Sequence, residues 1–395
     1  MQWPRTVIWW HVYPLGFTGA PIREGAARES GPQHRLEHLL GWLDHAVELG
    51  TNGLLLGPVF ASDTHGYDTL DHFRIDPRLG DDADFDALVA GCRERGIRLV
   101  LDGVFNHVAR GFGHEDWWRR SPEGHPWFFE GHDTLVEFDH HKPEVRAYTV
   151  EVMNHWLDRG ADGWRLDAAY AVDPAFWAAV LPEVRERHPE AWFLGEVIHG
   201  DYPDLVRRST LDSLTQYELW KATWSSLSDQ NFFELDWTLR RNNELLDTFW
   251  PQTFVGNHDV TRIASRVGKD GAALAAAVLC TVPGIPSIYY GDEFGYTGEK
   301  FDRAGGDDQV RPVFPASPAD ISALGRDLFA WYQQLIGLRR RHPWLVDTPI
   351  EVRELENTRI RYAAGADGQD VVTELDVAAG TVRIGSSDGE ELHWP

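Results

Sequence analysis

Eight short apolar runs, alternating with segments of helical periodicity, predict an α/β chain whose main body is a (β/α)8, or TIM, barrel. Two further observations shape that expectation. The runs are apolar almost throughout, as in Asn52–Val59, which marks strands buried on both faces of a parallel sheet. Acidic residues also stand at the carboxyl ends of four of them, the end at which such barrels place their chemistry. A doubly wound open sheet is the alternative, but no Gly-rich phosphate loop follows the first strand.

Strand one is read at Thr6–Tyr13, ended by Pro14, and is followed by a loop rich in Gly, Pro and Arg. A helix over Leu36–Leu49 carries leucines at helical spacing and stops at Gly50. After strand two at Asn52–Val59, a helix over Asp84–Arg95 leads to strand three at Ile97–Asp102. The interval Val108–His141 is loop-like and dense in Gly, His, Trp and Phe, and reads as an excursion from the barrel. A helix at Pro143–Arg159 leads to strand four, which ends Arg165-Leu166-Asp167. Then come a helix over Pro174–Arg187, strand five at Ala191–Val197, a weak strand six at Ser213–Leu219 and a helix over Phe232–Phe249. Strand seven at Thr253–Asn257, a helix over Gly271–Cys280, strand eight at Pro286–Tyr290 and a helix over Asp320–Arg341 complete the series. The tail holds about four short alternating runs split by Gly, Asp and Asn, a small C-terminal antiparallel β domain. The expected division is a barrel at 1–107 and 142–345, an inserted subdomain at 108–141, and a β domain at 346–395.

Composition narrows the functional classes. With 62 acidic against 37 basic residues the net charge is −25, a field that repels nucleic acid and anionic membranes and favours a neutral or cationic ligand. No apolar run reaches membrane-spanning length and no signal-peptide pattern opens the chain, so a cytoplasmic location is expected. Cys92 and Cys280 both fall in helices and read as buried free thiols. The 18 Trp, 11 Tyr and 19 Phe supply core, and their flat faces also suit sugar rings.

Arg165 and Asp167, two apart on a strand, share one face, where a guanidinium keeps a carboxylate ionised and aimed. Alone, the pair is equally consistent with an interior ion pair. Asp102 with His107 after strand three, Glu196 on strand five and His258-Asp259 after strand seven join it at one barrel mouth. Crowded carboxyls repel, so at least one is pushed towards its protonated form. A nucleophile beside a protonated acid is the equipment of a retaining glycosidase, whose two carboxyls lie about 5–5.5 Å apart. A metal site is the competing use, against which Arg165 counts, since a guanidinium competes with a bound cation.

The stretches Asp102–His107, Gly163–Asp167, Gly195–Glu196 and Phe254–Asp259 resemble, in order, the four signature regions of the alpha-amylase family (glycoside hydrolase family 13). The likeness extends to His65–Thr69, to Pro283–Pro286 running into Tyr289–Glu293, and to Arg311-Pro312, and spans about residues 5–345. The Gly-Trp-Arg-Leu-Asp form of the second region is similar to that of cyclomaltodextrinase and neopullulanase relatives. The resemblance implies Asp167 as nucleophile, Glu196 as general acid and then base, and Asp259 as stabiliser of the oxocarbenium-like transition state. It implies that His258 donates to sugar hydroxyls, Arg165 holds Asp167 anionic, and Asp102 supports Arg165. His107 would bond the sugar's hydroxymethyl group, and Tyr67 would stack under the sugar.

The implied activity is retaining hydrolysis of α-glucosidic bonds in short α-glucans or α-glucosides. Transglycosylation or sugar isomerisation through the same glycosyl-enzyme is the alternative, and a catalytically silent binding subunit a remote one. The expected partner is a small carbohydrate, with no nucleic acid or membrane, and the oligomeric state is left open. No cofactor is expected. Asn106 could serve as a calcium ligand or only as a strand-end cap, and no Asp-rich calcium loop lies between Val108 and His141. Tyr170 and Ala171 stand where many starch-acting amylases carry Lys-His, which points away from long amylose. Trp117, Trp118, Trp127, Phe128 and Phe129 are candidate sugar platforms or core of the excursion, and His65 a brace for the loop carrying Tyr67.

Overall fold

A computed structural model describes residues 2–23, 31–303 and 305–395. The middle of the Gly-, Pro- and Arg-rich loop, 24–30, lies outside the described residues. Eight parallel strands form one sheet: Trp9–Val12, Gly53–Leu56, Arg98–Gly103, Gly163–Leu166, Trp192–Gly195, Ser213–Leu214, Gln252–Phe254 and Ile285–Tyr289. Strand one pairs with strands two and eight, and a parallel bridge between Thr215 and Gln252 joins strand six to strand seven. The Gln216 amide donates to Gln252 O at 2.9 Å and completes the barrel.

The apolar runs are continuous because both faces are buried, and the two-residue period sorts their side chains. Trp9, Leu55, Val100, Trp192, Leu194 and Ile285 form one cluster filling the barrel, where Trp9 stacks on Trp192 at 5.4 Å. Their neighbours Trp10, Leu54, Leu56, Leu99, Leu101, Trp164 and Phe193 pack in a second cluster with the helices. Room for Trp9 depends on Gly53, where a Cβ would lie 2.4 Å from its ring. Two residues beyond the apolar layer, towards the strand ends, the inward positions become His11, Asp102, Arg165 and Glu196. The filled barrel is the floor on which the polar layer rests.

Several elements differ from the sequence expectation. The helix read over Leu36–Leu49 is two, Leu36–Leu40 and Leu43–Leu49, separated at Gly41-Trp42. Strand six is only Ser213–Leu214, and the residues read as its end begin a helix, Tyr217–Ser228, capped by the Gln216 side chain. Its Tyr, Trp and Thr favour strands, but Leu219, Ala222, Thr223, Ser226 and Leu227 are buried at helical spacing, and that packing wins. The helix after strand seven reaches back to Ile263 through a left-handed Gly268 at φ 71°, and the last barrel helix begins at Arg326 after two 3-10 turns.

The excursion carries an antiparallel pair, His107–Ala109 with Leu135–Glu137, and a second pair, Phe60–Ser62 with Thr69–Ile75, holds the loop containing Tyr67. The tail is a sequential antiparallel sheet of five strands, one more than expected: Ile350–Leu355, Arg359–Ala366, Gln369–Asp376, Thr381–Ser386 and Glu391–Trp394. The added strand brings Trp394 against Trp331, and its indole N–H donates to Asp270. Cys92 and Cys280 are buried free thiols. No helix among the described residues is long and apolar enough to cross a membrane.

Candidate active site

Strands three and four run in register with Asp102 opposite Arg165, and Gly163 leaves space because a Cβ there would meet Trp192 O at 2.1 Å. Arg165 is the hub of the mouth. Its Nη1 donates to both Asp102 oxygens, at 2.7 and 2.8 Å, and to Asp167 Oδ1 at 3.3 Å, while Nη2 pairs with Glu196 Oε1 at 2.7 Å. Asp102 is fully buried, so its carboxylate serves the guanidinium and not solvent. Immediately after Asp167 the chain turns left-handed at Ala168, φ 46°, and the Ala168 amide donates to Glu196 Oε2 at 3.0 Å. A non-glycine in that conformation costs on the order of 1–3 kcal/mol, held here by the surrounding contacts.

A second network comes from strand seven. The His258 ring lies nearly parallel to those of Tyr13 and Tyr67, with centroids at 5.8 and 5.3 Å and both interplanar angles 2°. The Tyr67 hydroxyl donates to Asp102 Oδ2 at 3.0 Å and contacts His258 Nε2, which also faces Asp259 Oδ2 at 3.0 Å. A proton on Nε2 satisfies both contacts. Arg311 holds the far side, its Nε donating to His258 O at 2.9 Å and its Nη2 to Asp259 Oδ1 at 2.7 Å. Asp259 keeps 31% of its side chain exposed, the most open of the carboxyls at the mouth.

The carboxyls are driven apart electrostatically. Burial, and then the charge of Glu196, push Asp167 well above the usual carboxylate range against the pull of Arg165. Burial acts the same way on Asp259, but His258 and Arg311 outweigh it and hold that carboxyl well below its ordinary value. Burial also raises Asp102, with Arg165 opposing. Arg165 stays firmly protonated: burial works against its charge, and Asp102 and Glu196 more than compensate. The site thus holds one fixed anion, Asp259, beside a coupled Asp167–Glu196 pair that favours a proton.

All eight residues singled out in the sequence lie in these two joined networks or border them. His107 borders them: its ring stacks on Phe129 at 4.5 Å, its Nε2 contacts Tyr67 O at 3.1 Å, and burial lowers its pKa to about 3. His65 takes the Tyr67 amide on Nδ1 at 3.2 Å, the bracing contact expected of it. Trp118 is buried, and Trp117 stacks on His114 and packs against Tyr148 of the helix that follows, so both serve the packing of the excursion and its seat on the barrel. Trp127 is 46% exposed beneath Arg119. Asn106 is buried, with its side-chain amide on His107 Nδ1 at 3.2 Å. Among the described residues, the groups of three or more acidic, His or Cys side chains spaced to share an ion are His34, Asp81, Asp84 and His342, Asp388, Glu390. Neither includes a residue of the mouth.

Sequence reasoning missed Tyr217, Asn257 and Tyr13. The Tyr217 hydroxyl donates to Glu196 Oε1 at 3.3 Å and accepts from Asn257 Nδ2 at 2.9 Å, and Asn257 Oδ1 accepts the Asp259 amide at 2.9 Å. Tyr217 was hidden by reading its segment as a strand. Tyr170 donates to Glu130 of the excursion at 2.7 Å, linking the loop after strand four to the inserted segment.

The chain as a whole resembles known proteins. The alpha-amylase catalytic domain matches residues 35–134 and 109–350. A cyclomaltodextrinase of Geobacillus thermopakistaniensis is 30% identical, over 94% of this chain and 68% of that relative. Neopullulanase 2 of Thermoactinomyces vulgaris is 28% identical, over 99% of this chain and 75% of its own. Among solved structures, the ligand-free cyclic alpha-maltosyl-(1→6)-maltose hydrolase of Arthrobacter globiformis aligns with a TM-score of 0.81 at 24% identity, covering 100% of this chain and 99% of that one. That last likeness speaks to the fold.

Proposed function

The chain belongs to the alpha-amylase family of glycoside hydrolases, and from that premise we propose that it hydrolyses α-glucosidic bonds in short α-glucans with retention of anomeric configuration. The observation that carries the reading is the buried Arg165 hub, which gathers Asp102, Asp167 and Glu196 at one strand-end layer.

In the first step an Asp167 carboxylate oxygen attacks the anomeric carbon while the bond to the leaving sugar breaks. Glu196 gives its proton to the departing oxygen. In the second step Glu196, now a carboxylate, takes a proton from water, whose oxygen attacks the same carbon and frees Asp167. Two inversions give net retention. The first step needs the pair's shared proton on Glu196, where the Ala168 amide and Tyr217 hydroxyl fix the carboxyl's orientation. Asp259, anionic beside Arg311, suits stabilisation of positive charge at the ring, with His258 beside it binding hydroxyls. The role of Arg165 is broader than holding Asp167 anionic, because it contacts Glu196 more closely.

A maltodextrinase-type substrate range is supported by the names of the cyclomaltodextrinase and neopullulanase relatives and by Tyr170-Ala171 in place of Lys-His. A second reading, transfer to a sugar acceptor in place of water, uses the same groups. Time-resolved product analysis with maltotriose, isomaltose, trehalose and sucrose separates them. Release of α-anomeric glucose and shorter sugars supports hydrolysis, longer or re-linked products support transfer, and β-anomeric products contradict both.

A further inference from the structure

Helix Tyr217–Ser228 begins at the barrel mouth, where its first residue touches Glu196 Oε1 at 3.3 Å. Beside that contact a groove of about 480 Å³ lies along this helix and the next, Phe233–Leu245, with Tyr217 in its lining. Its apolar lining is Ile198, two residues past Glu196, with Tyr217, Trp220 and Trp237. Trp220 is fixed from behind, nearly parallel to Phe254 at 6.4 Å and 20°. Trp237 is 64% exposed and Ile198 43%. Two ion pairs tie the helices together along the groove, Arg241 to Glu218 at 3.1 Å and Lys221 to Glu234.

Large apolar side chains left open beside a catalytic mouth mark a binding surface. Here they are interleaved with charges that neutralise one another in pairs, leaving donors and acceptors suited to hydroxyls. A flat indole face beside such groups fits the apolar face and rim of a sugar ring. The direction follows from the chemistry: Glu196 delivers its proton to the oxygen of the departing sugar, and Tyr217, which lines the groove, touches Glu196, so the groove lies nearest the leaving-group side. We propose that this groove binds the leaving-group end of a linear α-glucan, with Trp237 as an outer stacking platform for a glucose ring. The inference rests on the hydrolase reading above and extends it to substrates longer than the central mouth alone would hold.

Calorimetric titration in the Glu196→Gln background, which prevents turnover, tests it with maltohexaose and maltose as probes. Trp237→Ala is expected to weaken maltohexaose about tenfold and maltose less than about twofold, with Trp237→Phe restoring most of the loss. Equal weakening of both sugars, no change for maltohexaose, or no maltohexaose binding with Trp237 in place would overturn the groove. Turnover by the unaltered chain reads the reaction separately. Binding through Trp237 without cleavage would contradict the hydrolase and leave the groove standing, and cleavage with an affinity indifferent to Trp237 would do the reverse.

Discussion

Arg165 stands nearer to Glu196 than to Asp167: Nη2 lies 2.7 Å from Glu196 Oε1, and Nη1 3.3 Å from Asp167 Oδ1. One guanidinium therefore biases both members of the carboxyl pair, and Asp102, bound at 2.7 and 2.8 Å, sets where it sits. The consequences can be measured.

Asp102→Ala removes the anchor and leaves Arg165 with only the reacting carboxyls. Breaking a buried ion pair from one side costs about 3–5 kcal/mol, so a lowered denaturation midpoint is expected. A fall of kcat by 100-fold or more should accompany it in the fraction that remains folded. Wild-type kcat would show that Arg165 needs no such anchor.

Asp167→Asn should abolish turnover yet stabilise the fold. The folded-state pKa of Asp167 is raised by burial and by Glu196, so its contribution to stability is fully present below the unfolded carboxylate pKa and is lost as pH rises towards the folded one. Removing the carboxyl removes that loss. At neutral pH the variant should melt higher than the parent, by on the order of 1–2 °C, and the gap should close below about pH 4. A gap independent of pH would contradict the linkage.

The pH profile of kcat/KM should be a bell. Its basic limb marks loss of the single proton shared by Asp167 and Glu196, and lies above the usual carboxylate range because Asp167 is pushed up. Its acid limb marks protonation of the nucleophile. Asp259, held low by His258 and Arg311, should not add a limb near neutrality. A basic limb at ordinary carboxylate pKa would contradict the coupling.

Arg311→Lys is expected to lower kcat/KM at least tenfold although the charge is kept. An ammonium cannot reproduce the planar fork that reaches both His258 O and Asp259 Oδ1. A conserved charge with unchanged kcat/KM would show that the fork is dispensable.

The barrel and the acidic residues at its mouth were legible because period two and strand ends are local signals. Trp9 and Val100 point inward, so His11 and Asp102, two residues on, must point inward too. What escaped depends on non-local geometry. Tyr217 reaches Glu196 only because strand six stops after two residues and a helix starts at the mouth, in a segment whose aromatics read as a strand. Arg311 belongs to an irregular stretch after strand eight, so sequence showed its identity but not its grip on Asp259. The fifth strand of the tail, Glu391–Trp394, is too short to stand out from its turn-rich surroundings.

The measurement that bears most directly on the double-displacement reading is capture of the covalent intermediate. Glu196→Gln, given α-maltosyl fluoride, whose leaving group needs no acid, should form a glycosyl-enzyme that persists because its hydrolysis lacks a base. Intact-mass analysis followed by proteolysis should then find one maltosyl unit on the peptide containing Asp167. An adduct on Asp259, or none while fluoride is still released, would contradict the assignment of Asp167 as the nucleophile.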